Sequence, residues 1–416
     1  MREKLHVTIR QTFLSLRNYN FKLFFIGQTV SNTGNWLTNV ALTLLILHLT
    51  NSGIAVGILA ACQYGPILLL SLWAGAIADR SNKRTLLFIT QTLEMLESWT
   101  LAVFAFLPHP PVVVFYIVAA IGGILLAFDN PVRRSFVSEM VIAEDLPNAV
   151  VLNSTIVNVS RIIGPALAGV LVVTVGFAWC FVIDALTYIA VLISLFLMHE
   201  KELRKHATGP REKGEIWKGF TYVMRTPVLW IQFIMLAIIG TLAYNFTVTL
   251  PLFVTRSLHG TNSDFTFIYA IFGLGALTSG LLVARHGLVK NRYAIIGAFA
   301  LGISMLFLSI VPNILLAIPV IFLVGLSSIV YMNATTTVMQ IEADPLFHGR
   351  VLALQSVLLI GTTPIGSPLL GWLADVSSAR LPIVIGALAC LIAGTFGYVI
   401  TKQKIQKSPD MYFQEA

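Results

Sequence analysis

The chain has 416 residues, 56% of them hydrophobic and only 11% charged, where ordinary soluble domains carry about 25% charged residues. That balance excludes a water-soluble globule. The net charge of +8 does not gather into a patch that nucleic acid could use; the cations fall between alternate apolar runs, which is a topology signal.

The N-terminal stretch from Met1 to Lys22 is polar and basic and lacks the apolar core of a signal peptide. Beyond it, apolar runs of membrane-crossing length, about 20 residues, fall at 23–49, 54–78, 85–107, 112–138, 149–175, 177–198, 228–254, 265–284, 293–311, 314–340, 351–374 and 382–401. These predict twelve transmembrane helices and an all-α integral membrane fold. The longest polar break divides the chain into a first six-helix bundle at 1–198, a linker at 199–227 with an amphipathic helix, and a second bundle at 228–416. With the N-terminus placed inside, the outer loops hold only Arg256 and Arg380, so both termini are expected in the cytoplasm. Cys62, Cys180 and Cys390 each lie in an apolar run, which predicts neither disulfides nor a metal site.

Span one carries Gln28, Asn32, Asn35, Asn39 and Thr43 at helical spacing, with Trp36 among them. Such a stripe is costly against lipid and should face water. Between spans two and three lies Gly75-Ala-Ile-Ala-Asp79-Arg80-Ser-Asn-Lys83-Arg84, a tight turn on the positive side of the bilayer. Span three holds Glu94 and Glu97, two carboxylates that cannot both ionise cheaply in a poorly hydrated place. Span four holds Asp129 and Arg133 four residues apart, close enough to pair. The pair reads equally as a proton-coupling site and as a permanent ion pair. Span five continues with Ser154, Asn158 and Arg161, followed by Gly164-Pro165-Ala-Leu-Ala-Gly169. Arg161 falls near mid-membrane, as a structural partner or as a substrate or proton-coupling group. Asp184 of span six is expected near the outer surface and solvated.

The second half is polar without charge. It offers Thr241, Tyr244, Asn245 and Thr247 in span seven and Ser328, Tyr331 and Thr335 in span ten. With Phe246, Phe253, Phe267 and Phe272, these suit an aromatic pocket for amphipathic solutes. No Gly-x-x-x-x-Gly-Lys-Ser/Thr is present and no soluble domain exists to hold a catalytic site. No enzyme activity and no cofactor are therefore expected. Apolar segments with polar stripes point to a solute path driven by a gradient, with a small-molecule substrate, protons and the lipid bilayer as partners and a monomer as the working state.

The Gly75 to Arg84 stretch resembles the loop between helices two and three of the major facilitator superfamily. It matches at Gly75, Asp79, Arg80, Lys83 and Arg84 and departs at Asn82, where glycine is usual. Asparagine tolerates left-handed backbone, so the turn should survive. The resemblance implies two six-helix bundles working by alternating access, with spans one, four, seven and ten lining the cavity. Asp145-Leu-Pro-Asn148 through Gly169, with Ser31 to Thr38, Phe128 to Arg133 and Gly349-Arg350-Val351, is similar to the branch containing macrolide-efflux pumps and the enterobactin exporter. Gly164, Pro165 and Gly169 resemble the antiporter motif of drug exporters. The resemblance implies proton-coupled export of drugs or siderophores from a bacterial plasma membrane. Two readings stay open beside it: an importer or lipid flippase of the same fold, and a non-transporting receptor or assembly partner. At the inner surface, Asp79, Arg80 and Arg84 are expected to meet Glu139 or Arg134 of span four and the start of span eleven, forming a gate with Gly75.

Overall fold

A computed structural model describes residues 13–204, 215–286, 291–344 and 347–407; at some positions within helices, Asp79 and Asn158 among them, only the backbone is described. Every regular element among the described residues is helical. The first six spans are α1 (Tyr19–Thr50), α2 (Gly53–Arg80), α3 (Lys83–Ala105), α4 (Val112–Met140), α5 (Leu146–Thr174) and α6 (Phe177–Leu197). The linker helix is α7 (Glu215–Arg225). Span seven is interrupted, with α8 (Pro227–Leu242) followed by α9 (Phe246–Leu252) and a π turn at Phe253–Ser257. Then come α10 (Asn262–His286), α11 (Asn291–Ile310) and α12 (Ile314–Glu342). Span eleven is also interrupted, into α13 (His348–Ile360) and α14 (Thr363–Val376), and α15 (Leu381–Lys407) closes the chain. Among the described residues, nine segments are long and apolar enough to cross a membrane. Of the other three expected spans, α1 and α3 carry more polar side chains, and several side chains at the end of α10 lie outside the described residues.

The chain forms two compact units, one of Met1–Leu49 with Cys62–Pro210 and one of Thr50–Ala61 with Arg211–Ala416. In the first, α3 packs on α4 and α6. In the second, α11 packs on α12 and α15, the helices at the corresponding places of a six-helix repeat. Between helices in lipid the driving force is close van der Waals contact, so small residues sit at the crossings. In the first unit Gly27 lies against Ser194 and Val191, and Gly34 against Thr187 and Asp184, bringing α1 down onto α6. Below them Phe21, Phe24, Phe136, Tyr188 and Val191 fill a common core. The short turn Leu14–Arg17 is tied to the start of α5, where Arg17 and Asn18 donate to Asp145 and the Ser15 hydroxyl donates to Asn148 Oδ1 at 2.7 Å.

Asn82 does not take left-handed backbone. It is extended, with φ −67° and ψ 109°, and its side chain accepts from the Thr85 N–H, so it serves as the N-cap of α3. A cap needs a short acceptor side chain rather than a flexible backbone, which explains how the turn dispenses with glycine.

Inside the second unit, Thr50–Ala61 docks on α14. The Asp375 carboxylate accepts from the N–H groups of Gly53 and Ile54 at 2.7 and 2.9 Å and from Ser52 Oγ at 2.8 Å. Arg256 donates to Asp375 and to the Asn51 carbonyl. A carboxylate at a helix N-terminus meets unpaired donors and the positive end of the helix dipole. Asp375→Ala should therefore destabilise the purified protein by about 1 kcal/mol, the usual scale for a lost cap, read as a lower thermal midpoint. An unchanged midpoint would count against the cap.

Candidate functional site

The first unit holds one continuous polar network built from three helices, α1, α3 and α4. Asp129 of α4 is fully buried and accepts from three side chains. Arg133 Nε donates at 2.8 Å and its Nη2 also contacts the carboxylate; Gln91 Nε2 donates at 2.9 Å and Thr90 Oγ1 at 3.0 Å. The i, i+4 spacing on α4 makes the ion pair, and α3 supplies the two neutral donors. Arg133 then reaches α1, where its Nη1 donates to Asn32 Oδ1 at 2.9 Å. Asn32 in turn donates to Gln28 Oε1 at 3.0 Å. One guanidinium thus joins the buried carboxylate to the polar stripe of span one.

The stripe is graded. Gln28 is buried, Asn32, Trp36 and Asn39 are half-buried and Asn35 is exposed, with its amide 3.3 Å from the Tyr188 hydroxyl. The Arg161 guanidinium lies 5.0 Å over the Trp36 ring, a cation–π contact that holds its charge beside the stripe. Tyr64 of α2 faces both Asn39 and Arg161. The Asn158 side chain lies outside the described residues.

Gly164 and Pro165 are buried where α5 crosses α1. A Cβ on Gly164 would sit 2.5 Å from Trp36 Cβ and 2.8 Å from the Thr33 carbonyl oxygen. Gly169 is also buried. Gly164→Val forces these helices apart beneath Arg161 and Trp36. It should cost about 1–3 kcal/mol of stability, the scale of core overpacking, and lower transport with it. Wild-type stability and turnover in that variant would remove the close crossing from the account.

Of the other carboxylates Glu94, Glu97 and Asp184, Asp184 is placed differently from expectation. Glu94 is buried and turned toward α4, where Gln91 Nε2 bridges it at 2.8 Å to Asp129. Asp184 is buried, not solvated: it accepts from Ser98 Oγ at 2.7 Å. The physical reason is the crossing at Gly34, whose lack of a side chain lets α1 cover Asp184 and Thr187. Glu97 packs against Gly122 of α4.

The inner-surface gate is also rearranged. Glu139 pairs with Lys83, both nearly buried, and not with Arg84. Arg84, one residue further round the helix, turns to α6 and donates to the Leu195 and Phe196 carbonyls and to Glu200. Arg80 and Arg134 are exposed, Gly75 is half-buried and the Asp79 side chain lies outside the described residues.

In the second unit, Asn245, Ser328, Tyr331 and Thr335 are closed inside the bundle instead of lining open space. Asn245 sits at the interruption of span seven, donates to the Thr241 carbonyl at 2.7 Å and accepts from Ser367 Oγ at 2.7 Å. It satisfies backbone freed by the break, as membrane burial requires. Tyr331 packs against Gly297 of α11. Tyr244 stays half-buried, donating to the Ser328 carbonyl at 2.5 Å, and joins Phe246, Phe272 and Tyr269 in a ring cluster. Phe253 is buried, whereas Phe267 is exposed on the bundle surface.

Gln91, Thr90, Tyr64 and Tyr188 join these polar contacts without having been singled out in the sequence. Gln91, Glu94 and Ser98 share a helix face at intervals of three and four, the same signal that marks span one.

Residues 10–414 match the family described as transmembrane secretion effectors, a branch of the major facilitator superfamily. The chain belongs to that family. It is 27% identical to the staphyloferrin A transporter of Staphylococcus aureus, over 92% of this chain and 97% of that protein. Macrolide efflux protein A of Streptococcus pyogenes is 24% identical, over 86% and 90% of the two chains. The enterobactin exporter of Shigella flexneri is 24% identical, over 89% and 91%. In fold, it resembles an inward-facing bacterial homologue of the human lysosomal transporter Spinster, with TM-score 0.74 at 14% identity over 93% and 97% of the chains. A POT family transporter bound to 5-aminolevulinic acid gives TM-score 0.76 at 12% identity, over 92% and 96%. This major facilitator protein is therefore an all-α, multi-pass membrane transporter of small molecules, not an enzyme.

Proposed function

We propose that this transporter exports amphipathic small molecules, drugs or siderophores, in exchange for protons across a bacterial plasma membrane, as a monomer with both termini in the cytoplasm. One observation carries the reading: Arg133 is shared between the buried Asp129 carboxylate and Asn32 of the polar stripe. Ionised Asp129 holds the guanidinium. A proton on Asp129 forms a carboxyl O–H, removes the negative charge and frees Arg133 for oxygen atoms offered on the stripe side. Substrate and proton then compete for one cation, which is the physical requirement of antiport. Trp36 supplies an aromatic face for the apolar part of a solute, and Arg161, stacked over it, adds a second fixed charge. The relatives named for macrolide efflux and enterobactin export support the direction and the solute class.

The test is transport in proteoliposomes with labelled enterobactin, staphyloferrin A and a macrolide, with and without an imposed pH gradient. The reading expects at least one of them to move against its own gradient toward the acidic side. If none responds to any proton gradient, antiport is wrong.

A further inference from the structure

We infer that the first unit carries a proton path of its own, a ladder of carboxyl groups running Asp184, Glu97, Glu94 and Asp129 that meets the polar stripe at Arg133. The inference rests on the antiport reading and adds the route by which protons arrive. Asp184 lies seven residues into α6 from Phe177, about 10 Å along the axis at 1.5 Å per residue. This is the helix end that the antiport reading places outside. Ser98 Oγ, donating to Asp184 at 2.7 Å, brings α3 against it. Glu97, next to Ser98, faces Asp184 and closes on the bare backbone of Gly122. One turn down α3, Glu94 is bridged to Asp129 by the Gln91 amide.

The charges around the ladder are unbalanced. Glu94 is faced by Asp129 and Arg133 from α4, Asp184 from α6 and Glu97 on its own helix. The Tyr188 hydroxyl of α6 also faces this group, and α1 contributes Asn35 and Thr38, neither of which titrates. Among these groups Arg133 is the single cation for four carboxylates; Asp184, Glu94 and Asp129 are buried, and Glu97 and Arg133 are half-buried. A second observation points the same way. Gln91 is 1% exposed, and its Oε1 has no donor although its Nε2 serves two carboxylates. What the oxygen lacks is a hydrogen, and a protonated neighbouring carboxyl has one to give. Protons therefore both neutralise the surplus charge and complete the hydrogen bonding. Transfer breaks one carboxyl O–H bond and forms the next, from Asp184 through Glu97 and Glu94 to Asp129, and Asp129 releases the proton on the cytoplasmic side.

Two measurements on the full chain test the ladder. In lipid nanodiscs without solute, infrared spectra at neutral pH should show a protonated-carboxyl band, and Glu94→Gln, Glu97→Gln and Asp184→Asn should each remove part of it. A band left intact by all three variants overturns the ladder. In proteoliposomes, using whichever of labelled enterobactin, staphyloferrin A or macrolide the wild type accumulates, Asp184→Asn should reduce gradient-driven accumulation to the protein-free level. Exchange of labelled for unlabelled solute should persist, and Asp184→Glu should restore accumulation. Gradient-driven accumulation that survives Asp184→Asn overturns the ladder and leaves antiport through Asp129 standing. A wild type driven by no pH gradient overturns the antiport reading, and the ladder falls with it. If Asp184→Asn does not fold, Ser98→Ala removes only the hydroxyl that orients Asp184; it should slow gradient-driven movement and spare exchange, and equal rates with the wild type would overturn the ladder.

Discussion

Asp129→Asn should abolish transport driven by a pH gradient and leave solute exchange running. Asparagine keeps the size of the side chain, and its one oxygen can still accept from Thr90 and Gln91 or from Arg133, though not from both sides at once. What it loses is the capacity to gain and release a proton. It therefore fixes the neutral state, in which Arg133 is continuously available to the stripe through Asn32. Exchange needs only that state. Net export against a gradient needs the charge on Asp129 to return in each cycle, and that is the step removed. The measurement is the ratio of gradient-driven accumulation to counterflow exchange in proteoliposomes. The ratio should fall to background with exchange within a few-fold of wild type; an unchanged ratio would make Asp129–Arg133 a permanent structural pair.

Arg133→Met should be the most destabilising single change in the first unit. Removing one partner of a buried pair leaves an uncompensated charge and costs about 3–5 kcal/mol. Asp129 has no exposed surface, so water cannot replace the guanidinium, and the two neutral donors from α3 cannot cancel a full charge. The double variant Arg133→Met with Asp129→Asn removes the orphaned charge and should recover most of the lost thermal stability. The comparison separates charge from packing. If the double variant melts as low as the single one, methionine has disturbed the helix packing and the pair is not the cause.

Much of this arrangement is legible in the sequence where chemistry is costly in lipid. The stripe from Gln28 to Asn39 and the Asp129–Arg133 spacing stand out because few side chains of that kind are tolerated in a span without a partner. Their depth was not legible, because it depends on how closely a neighbour approaches. Gly34 lets α1 cover Asp184, which by its place near a helix end reads as wet. The same ambiguity affects Asn245, Ser328, Tyr331 and Thr335. A polar side chain at helical spacing looks alike in sequence whether it meets water or the broken backbone of an adjacent span, and Asn245 does the latter. At the inner surface the pairing of Glu139 differs from the expected one. Lys83 and Arg84 are adjacent, but a turn of about 100° between consecutive helix positions sends one to Glu139 and the other to the end of α6.

The account depends on the span-one stripe facing water that a solute can enter. Single cysteines at Asn32, Asn35 and Asn39, in a chain with Cys62, Cys180 and Cys390 replaced by serine, test this in native membranes with a charged thiol reagent. Ile26 and Val30, exposed on other faces of α1, serve as controls. Reaction at the three stripe positions, slowed by enterobactin or whichever solute the chain carries, with no reaction at the two controls, is the predicted result. Inert stripe positions, or reaction spread equally around the helix, would contradict it.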